Sequence, residues 1–165
     1  MTVLSDSSPL ITLARIGLLD LLPRLYERVT ITPEVFAEVV VSGAGLTGSS
    51  EIAAAQWIDV KPVQKPDDLT AAQQRFGLGM GELSVIMLGK ELKADAVLID
   101  DMKARKLAQE EGLAVLGCVG VLRDAYGLKL LPNLPEAYRQ LLGSSAYVDR
   151  VLLENILRIL NLPPL

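Results

Sequence analysis

Short apolar runs alternate along the chain with longer stretches in which apolar residues recur at helical spacing. Runs that predict strands lie at 3–5, 29–31, 57–60, 96–99 and 114–116. Stretches that predict helices lie at 10–16, 18–25, 33–41, 70–76, 82–93, 102–111, 118–126, 134–142 and 147–161, whereas the Gly- and Ser-rich segment 42–50 predicts a flexible loop. Strands that alternate with helices imply an α/β fold, in which helices cover both faces of a central parallel sheet.

Length and composition predict one domain that spans residues 1–165. Half of the 165 residues are apolar, which is enough to form a substantial core. The single cysteine, Cys118, cannot form an intramolecular disulfide, and no apolar run approaches the roughly 20 residues of a membrane-spanning helix. The N-terminus also lacks the pattern of a signal peptide. We therefore expect a cytoplasmic protein without a membrane anchor.

The absence of histidine restricts the chemistry that this chain can perform. Histidine triads, histidine-bound zinc and histidine general bases are excluded, so acid–base or metal chemistry must rest on Asp and Glu. Carboxylate oxygens are hard ligands that suit Mg²⁺ or Mn²⁺. The net charge of −4 argues against nucleic-acid binding through the overall field. Six basic residues of the C-terminal half form either a local basic strip or a dispersed solvated surface: Lys103, Arg105, Lys106, Arg123, Lys129 and Arg139.

Acidic residues follow two of the predicted strands directly. Asp6 comes after the first strand, and Asp100 and Asp101 come after the fourth. The carboxyl ends of parallel strands meet at one edge of a sheet, where Glu38 and Glu82 can join these residues from neighbouring helices. Clustered carboxylates repel one another unless a cation compensates them. The pattern therefore predicts a divalent-metal site.

Each of these residues also has an ordinary structural interpretation. Asp6, Glu82 and the Asp100–Asp101 pair stand where helix caps and first-turn acids are common, and Glu38 fits an exposed helix face. Arg105 follows Asp101 by four residues, which predicts an i,i+4 ion pair as the alternative to a phosphate contact. Ser8 serves either as a capping residue or as a polar contact in the site.

Five motifs, in order, resemble those of PIN-like domains, in particular an uncharacterised branch that opens with Asp-Thr/Ser-Ser-Pro-Leu-Ile. They are the segment 3–11, the strand–proline–helix segment 31–38, the Gly-Glu helix start at 81–86, the Asp-Asp-x-x-Ala-Arg segment 98–105 and the Gly-x-x-Gly-x-Leu segment 117–122. The resemblance covers about residues 2–126, and the predicted helices at 134–161 follow it. It implies a PIN-like three-layer sandwich.

The resemblance also implies a function, namely cleavage of single-stranded RNA with Mg²⁺ or Mn²⁺, and many PIN domains are toxins of type II toxin–antitoxin pairs. Asp6, Glu38, Glu82 and Asp101 would then be the catalytic acids, with Asp100 as a further ligand or a helper. The predicted metal ligands are Asp6, Glu82, Asp100 and Asp101, and the predicted substrate contacts are Ser8 and Arg105.

RNA and an antitoxin protein are the expected partners. The apolar helix at 147–161 either packs on the domain or forms a homodimer contact. One alternative function is a non-catalytic PIN-like module that binds RNA or protein. Another is a phospho-acceptor domain, but that type carries its acidic pair after the first strand, where this chain has only Asp6.

Overall fold

The computed structural model describes residues 1–165, which form a five-stranded parallel sheet flanked by ten α-helices. The strands are β1 (Val3–Ser5), β2 (Val29–Ile31), β3 (Ile58–Val60), β4 (Ala96–Leu98) and β5 (Val115–Leu116). Their order in the sheet is β3-β2-β1-β4-β5, and every neighbouring pair is parallel. The predicted α/β class and its central parallel sheet are confirmed.

The helices connect the strands and then extend beyond the last one. They are α1 (Ser7–Arg15), α2 (Leu21–Tyr26), α3 (Pro33–Phe36), α4 (Ser49–Ala54), α5 (Pro66–Phe76), α6 (Met80–Leu92), α7 (Met102–Glu110), α8 (Cys118–Gly127), α9 (Leu134–Gly143) and α10 (Arg150–Ile159). No helix has the length and apolar content that crossing a bilayer requires.

The centre of the sheet is fully enclosed. Every residue of β1 and β2 is buried, and so are the last two residues of β4. β1 is bonded to β4 over three residue pairs, with Leu4 opposite Val97. Strands buried on both faces favour mostly apolar side chains, and the exceptions here, Ser5 and Thr30, are small hydroxyl residues.

Two details of the α3 region differ from the sequence-based expectation. The segment 33–41 is not one regular helix, because α3 gives way to a π-helical segment at Ala37–Val41, where Ser42 N–H donates to the Ala37 carbonyl. The predicted loop 42–50 runs into an unexpected helix, α4. Gly48 precedes it with φ of 92°, a left-handed conformation that glycine adopts without strain. The Gly and Ser content of this segment concealed the helix start.

The last helix, α10, buries one face in the domain and exposes another. Leu153 and Leu157 belong to the core, and α10 packs against α9. Val151, Leu152 and Ile159 are apolar and exposed. The first of the two roles expected for this helix, packing on its own domain, is therefore present in the structure.

Candidate functional site

The acidic residues lie where the strand order of the sheet reverses direction. β1 and β4 are neighbours in the sheet, and the connections that follow them lead in opposite directions, towards β2 and towards β5. Asp6 follows β1 directly, while Asp100 and Asp101 come after β4. Ligands of open α/β sheets bind in the crevice outside the strand ends at such a point.

Asp6 is the most deeply enclosed of these acids. It is 3% exposed and holds the N-cap position of α1, but its side chain accepts no capping hydrogen bond, and the buried Oδ1 atom has no partner. Burial raises the pKa of Asp6 to about 7, the nearby charges of Glu82, Glu38 and Asp100 add to the effect, and the Ser7 backbone N–H opposes it. Asp6 therefore occupies the capping position of α1 without forming a side-chain capping bond, so capping alone does not account for its burial.

Glu38 reaches the site from the π-helical segment. Its carboxylate accepts hydrogen bonds from the Ser7 hydroxyl and, at 3.2 Å, from the Gly81 backbone N–H. A Cβ atom on Gly81 would stand 2.5 Å from Glu38 Oε1, closer than such atoms can approach. Glycine at this position is therefore required for the contact between α6 and the Glu38 carboxylate.

Glu82 lies in the first turn of α6, where its Oε2 atom accepts a hydrogen bond from the Gly79 N–H at 3.2 Å. Burial raises the pKa of Glu82, and the charges of Asp101 and Glu38 add to the effect, while the Lys103 ammonium opposes it. The side chain thus takes part in a capping interaction and also belongs to the acidic group.

Asp100 and Asp101 point to different partners. Asp101 caps α7 by accepting from the Ala104 N–H at 2.8 Å. Asp100 accepts from the Cys118 N–H at 2.7 Å, and its other oxygen lies 3.1 Å from Cys118 Sγ. Of the two, Asp100 is the one whose charge acts on Asp6, and Asp101 is the one whose charge acts on Glu82.

Arg105 does not form the predicted ion pair with Asp101. Its guanidinium instead donates to the Ile99 carbonyl at 3.0 Å, which turns the side chain back towards the end of β4. Two other members of the proposed basic strip are paired with acidic neighbours, Arg123 with Asp124 and Arg139 with Glu136. The charges of Arg123 and Arg139 are thus compensated by neighbouring acids, whereas the Arg105 side chain is turned inward onto a neutral carbonyl.

A cleft of about 320 Å³ opens above Asp6, Glu38 and Glu82. Ser8, Thr12 and Arg15 of α1 line one part of it, and Ser145 from the α9–α10 connection lines another. Neither Arg15 nor Ser145 was predicted from the sequence. The sequence signal that points to Arg15 is the recurrence of polar residues at positions 8, 12 and 15, which share one face of α1.

The carboxylates influence one another electrostatically without converging on one point. No group of three or more of them is arranged so that it could hold a metal ion. Mg²⁺ commonly keeps several water ligands and takes only one or two carboxylates from the protein, so a smaller set suffices. The partnerless Oδ1 of Asp6, buried among other hard oxygen donors, fits such an ion.

Comparisons with known proteins agree with this architecture. A family model described as DUF3368, a PIN domain, matches residues 2–162. The crystal structure of PAE2754 from Pyrobaculum aerophilum is similar in fold, with a TM-score of 0.51 and 13% sequence identity over 72% of this chain and 91% of that one. No curated protein matches the sequence.

Proposed function

The chain belongs to the DUF3368 family of PIN domains, and from this premise we propose that it is an endoribonuclease that cuts single-stranded RNA with Mg²⁺ or Mn²⁺. One observation carries the proposal. The buried Asp6 carboxylate, with one oxygen unpartnered, forms part of a cleft that two other acids also line. Burying a carboxylate without a partner costs free energy, and such an arrangement is typical of sites where a bound cation compensates the charge.

Asp6 and Glu82 are the residues that would hold the ion, with Asp100 and Asp101 as the further acids at this edge. A bound divalent ion would supply charge neutralisation for the phosphodiester and activation of water. The protein contributes the orientation of its own groups. Glu38 is fixed by Ser7 and Gly81, and Ser8 lies in the cleft where it can contact substrate. With no histidine in the chain, proton transfer falls to these carboxylates.

We further propose that the nuclease is the toxin of a toxin–antitoxin pair, with an antitoxin protein as its partner. Membership of the PIN domain family supports this role, because many PIN domains are toxins of type II toxin–antitoxin pairs. Co-expression would test it, because induction of the protein alone should arrest growth and a cognate antitoxin should relieve the arrest.

A non-catalytic PIN-like module that binds RNA or protein is the second candidate function. The observation in its favour is that no three carboxylates form a group able to hold an ion. In a protein of this kind, the acids would serve as caps and as hydrogen-bond acceptors, roles that Asp101 and Glu82 fill in part.

A nuclease assay on purified protein separates the two candidates. We expect cleavage of a mixed single-stranded RNA pool that stops with EDTA and returns with Mg²⁺ or Mn²⁺. Asp6→Asn preserves the size of the side chain and removes its charge, so the rate should fall by orders of magnitude. Absence of metal-dependent cleavage, or equal cleavage by wild type and Asp6→Asn, would favour the non-catalytic module.

A further inference from the structure

Arg15 is a cation at the far end of the acidic cleft. It is the last residue of α1, whereas Asp6 immediately precedes the first, and both line the same cleft. Nine residues of α-helix place them roughly 13 Å apart along the helix axis. Arg15 is exposed, and none of the six ion pairs of the protein includes it.

The Arg15 guanidinium is held in place without being neutralised. Its Nη1 atom donates to the Ser145 hydroxyl, which belongs to the connection between α9 and α10. A hydroxyl orients the guanidinium and leaves its charge uncompensated. Ser8 and Thr12 lie on the same side of α1 and also line the cleft, so hydroxyl groups accompany the cation along this wall.

An uncompensated arginine in such a cleft has a chemical preference. The planar guanidinium binds phosphate through two parallel hydrogen bonds. The protein as a whole carries a net charge of −4, so it attracts a polyanion only where cations are locally unpaired. Arg105, which was expected to contact phosphate, is instead bonded to the Ile99 carbonyl.

We propose that Arg15 binds a backbone phosphate of single-stranded RNA away from the bond that is cut, and that Ser145 orients the guanidinium for this contact. At the stacked rise of 3.4 Å per nucleotide, the separation corresponds to about four nucleotides. This inference rests on the proposed ribonuclease function. It assigns the α1 wall as the path of the RNA strand, with Arg15 as a positioning residue for substrate.

Binding of a labelled single-stranded RNA of about ten nucleotides, a length typical of such sites, would test the proposal by fluorescence anisotropy. The parent protein is Asp6→Asn, so that cleavage does not interfere. Adding Arg15→Gln should weaken binding about fivefold to tenfold and make the slope of log K against log salt shallower by about 0.7, as loss of one phosphate contact requires. Arg15→Lys should retain most of the slope.

Arg24→Gln is the matched control. Arg24 is an exposed arginine on α2 whose ion-pair partner is Asp20, so its replacement changes the net charge equally at a site outside the cleft. Kinetics in the Asp6-containing protein provide a second measurement. For a long RNA, Arg15→Gln should raise KM and leave kcat unchanged, whereas a dinucleotide, too short to reach Arg15, should be cut equally by both forms.

Three outcomes would overturn the proposal. RNA affinity and salt slope could be the same in Arg15→Gln and Arg24→Gln. Arg15→Lys could lose as much affinity as Arg15→Gln, with a lower Tm in both, which would indicate a structural link to Ser145 only. Finally, the wild type could neither bind nor cut RNA, in which case the proposed function itself fails, and this inference with it.

Discussion

The Glu38 carboxylate occupies the space that a side chain on Gly81 would need, with Oε1 2.5 Å from the position of a Cβ atom there. The same carboxylate oxygen accepts a hydrogen bond from the Gly81 N–H. The two residues are 43 positions apart in the chain, and their contact joins the π-helical segment to the start of α6.

Gly81→Ala should therefore displace Glu38 without dismantling the fold. A shift of about 1 Å in a catalytic group can cost on the order of 100-fold in rate, and we expect a loss of this size in RNA cleavage. Gly127→Ala is the control, because nothing lies within 4 Å of a Cβ atom at that helical position. Equal activity of the two variants in a steady-state assay would show that the position of Glu38 does not matter for cleavage.

Asp6→Asn should stabilise the metal-free protein in a pH-dependent manner. The pKa of Asp6 is about 7 in the folded protein against an ordinary value of 3.8, so folding favours the protonated form. The stability that the protonated Asp6 contributes is fully present below pH 3.8 and is lost as the pH rises through about 7. Each unit of pKa difference corresponds to about 1.4 kcal/mol. Urea unfolding in EDTA should show the variant gaining most over wild type near pH 8 and gaining little near pH 4. A gain independent of pH would contradict the assignment to this carboxyl group.

Mg²⁺ or Mn²⁺ should raise the Tm of the wild type. An ion that binds only the folded state adds about 2.7 kcal/mol at a concentration one hundred times its Kd. Asp6→Asn should show a much smaller increase, since the variant removes the charge of the acid with the unpartnered oxygen. Controls in calcium chloride or sodium chloride at the same ionic strength separate specific binding of Mg²⁺ or Mn²⁺ from general screening of charge. A wild-type protein whose Tm responds to neither Mg²⁺ nor Mn²⁺ would argue against a metal site at this edge of the sheet.

Arg105→Ala should act on stability and leave the salt dependence of RNA binding unchanged. The guanidinium donates to the Ile99 carbonyl at the end of β4, and loss of that hydrogen bond should cost about 1 kcal/mol. Chemical denaturation measures the first effect and anisotropy at several salt concentrations measures the second. A shallower salt slope with unchanged stability would restore the phosphate contact that the sequence suggested.

The exposed side of α10 should mediate a homodimer. Val151, Leu152 and Ile159 form an apolar strip that the domain itself leaves uncovered. Sedimentation at micromolar concentration should give a dimer for the wild type and a monomer for Leu152→Glu. Wild-type protein that sediments as a monomer would show that α10 serves only to close the core through Leu153 and Leu157.

Much of this architecture followed from local patterns in the sequence. Buried parallel strands need uninterrupted apolar runs, and helices need a 3.6-residue period, so strands such as β1 and β4 could be placed within a residue or two. The start of helix α4 could not be predicted because residues 42–50 are rich in Gly and Ser, a composition typical of loops. The π-helical segment could not be predicted either, because i→i+5 hydrogen bonding has no distinct sequence pattern.

The site was harder to predict because its properties depend on tertiary contacts. The sequence suggested that Asp6 would stand at a strand end, but the lack of a partner for Oδ1 is visible only when its neighbours are in place. The i,i+4 spacing of Asp101 and Arg105 predicted an ion pair, yet a carbonyl at the end of β4 offered Arg105 a more enclosed partner. The contact of Arg15 with Ser145 joins residues 130 positions apart, so no local pattern in the sequence could indicate it.

The pairing of β1 with β4 has a consequence for synthesis on the ribosome. Thr2 and Asp95 are hydrogen-bonded although they are 93 positions apart, and β1 finds its three-pair neighbour only when β4 is available. A nascent chain that has emerged only as far as α6 has Asp6, Glu38 and Glu82 but lacks β4, the strand that pairs with β1 at the centre of the sheet and carries Asp100 and Asp101 at its end. Contacts of such long range also slow folding. If the mature protein degrades RNA, the translating message is thus spared until well over half of the polypeptide has left the exit tunnel.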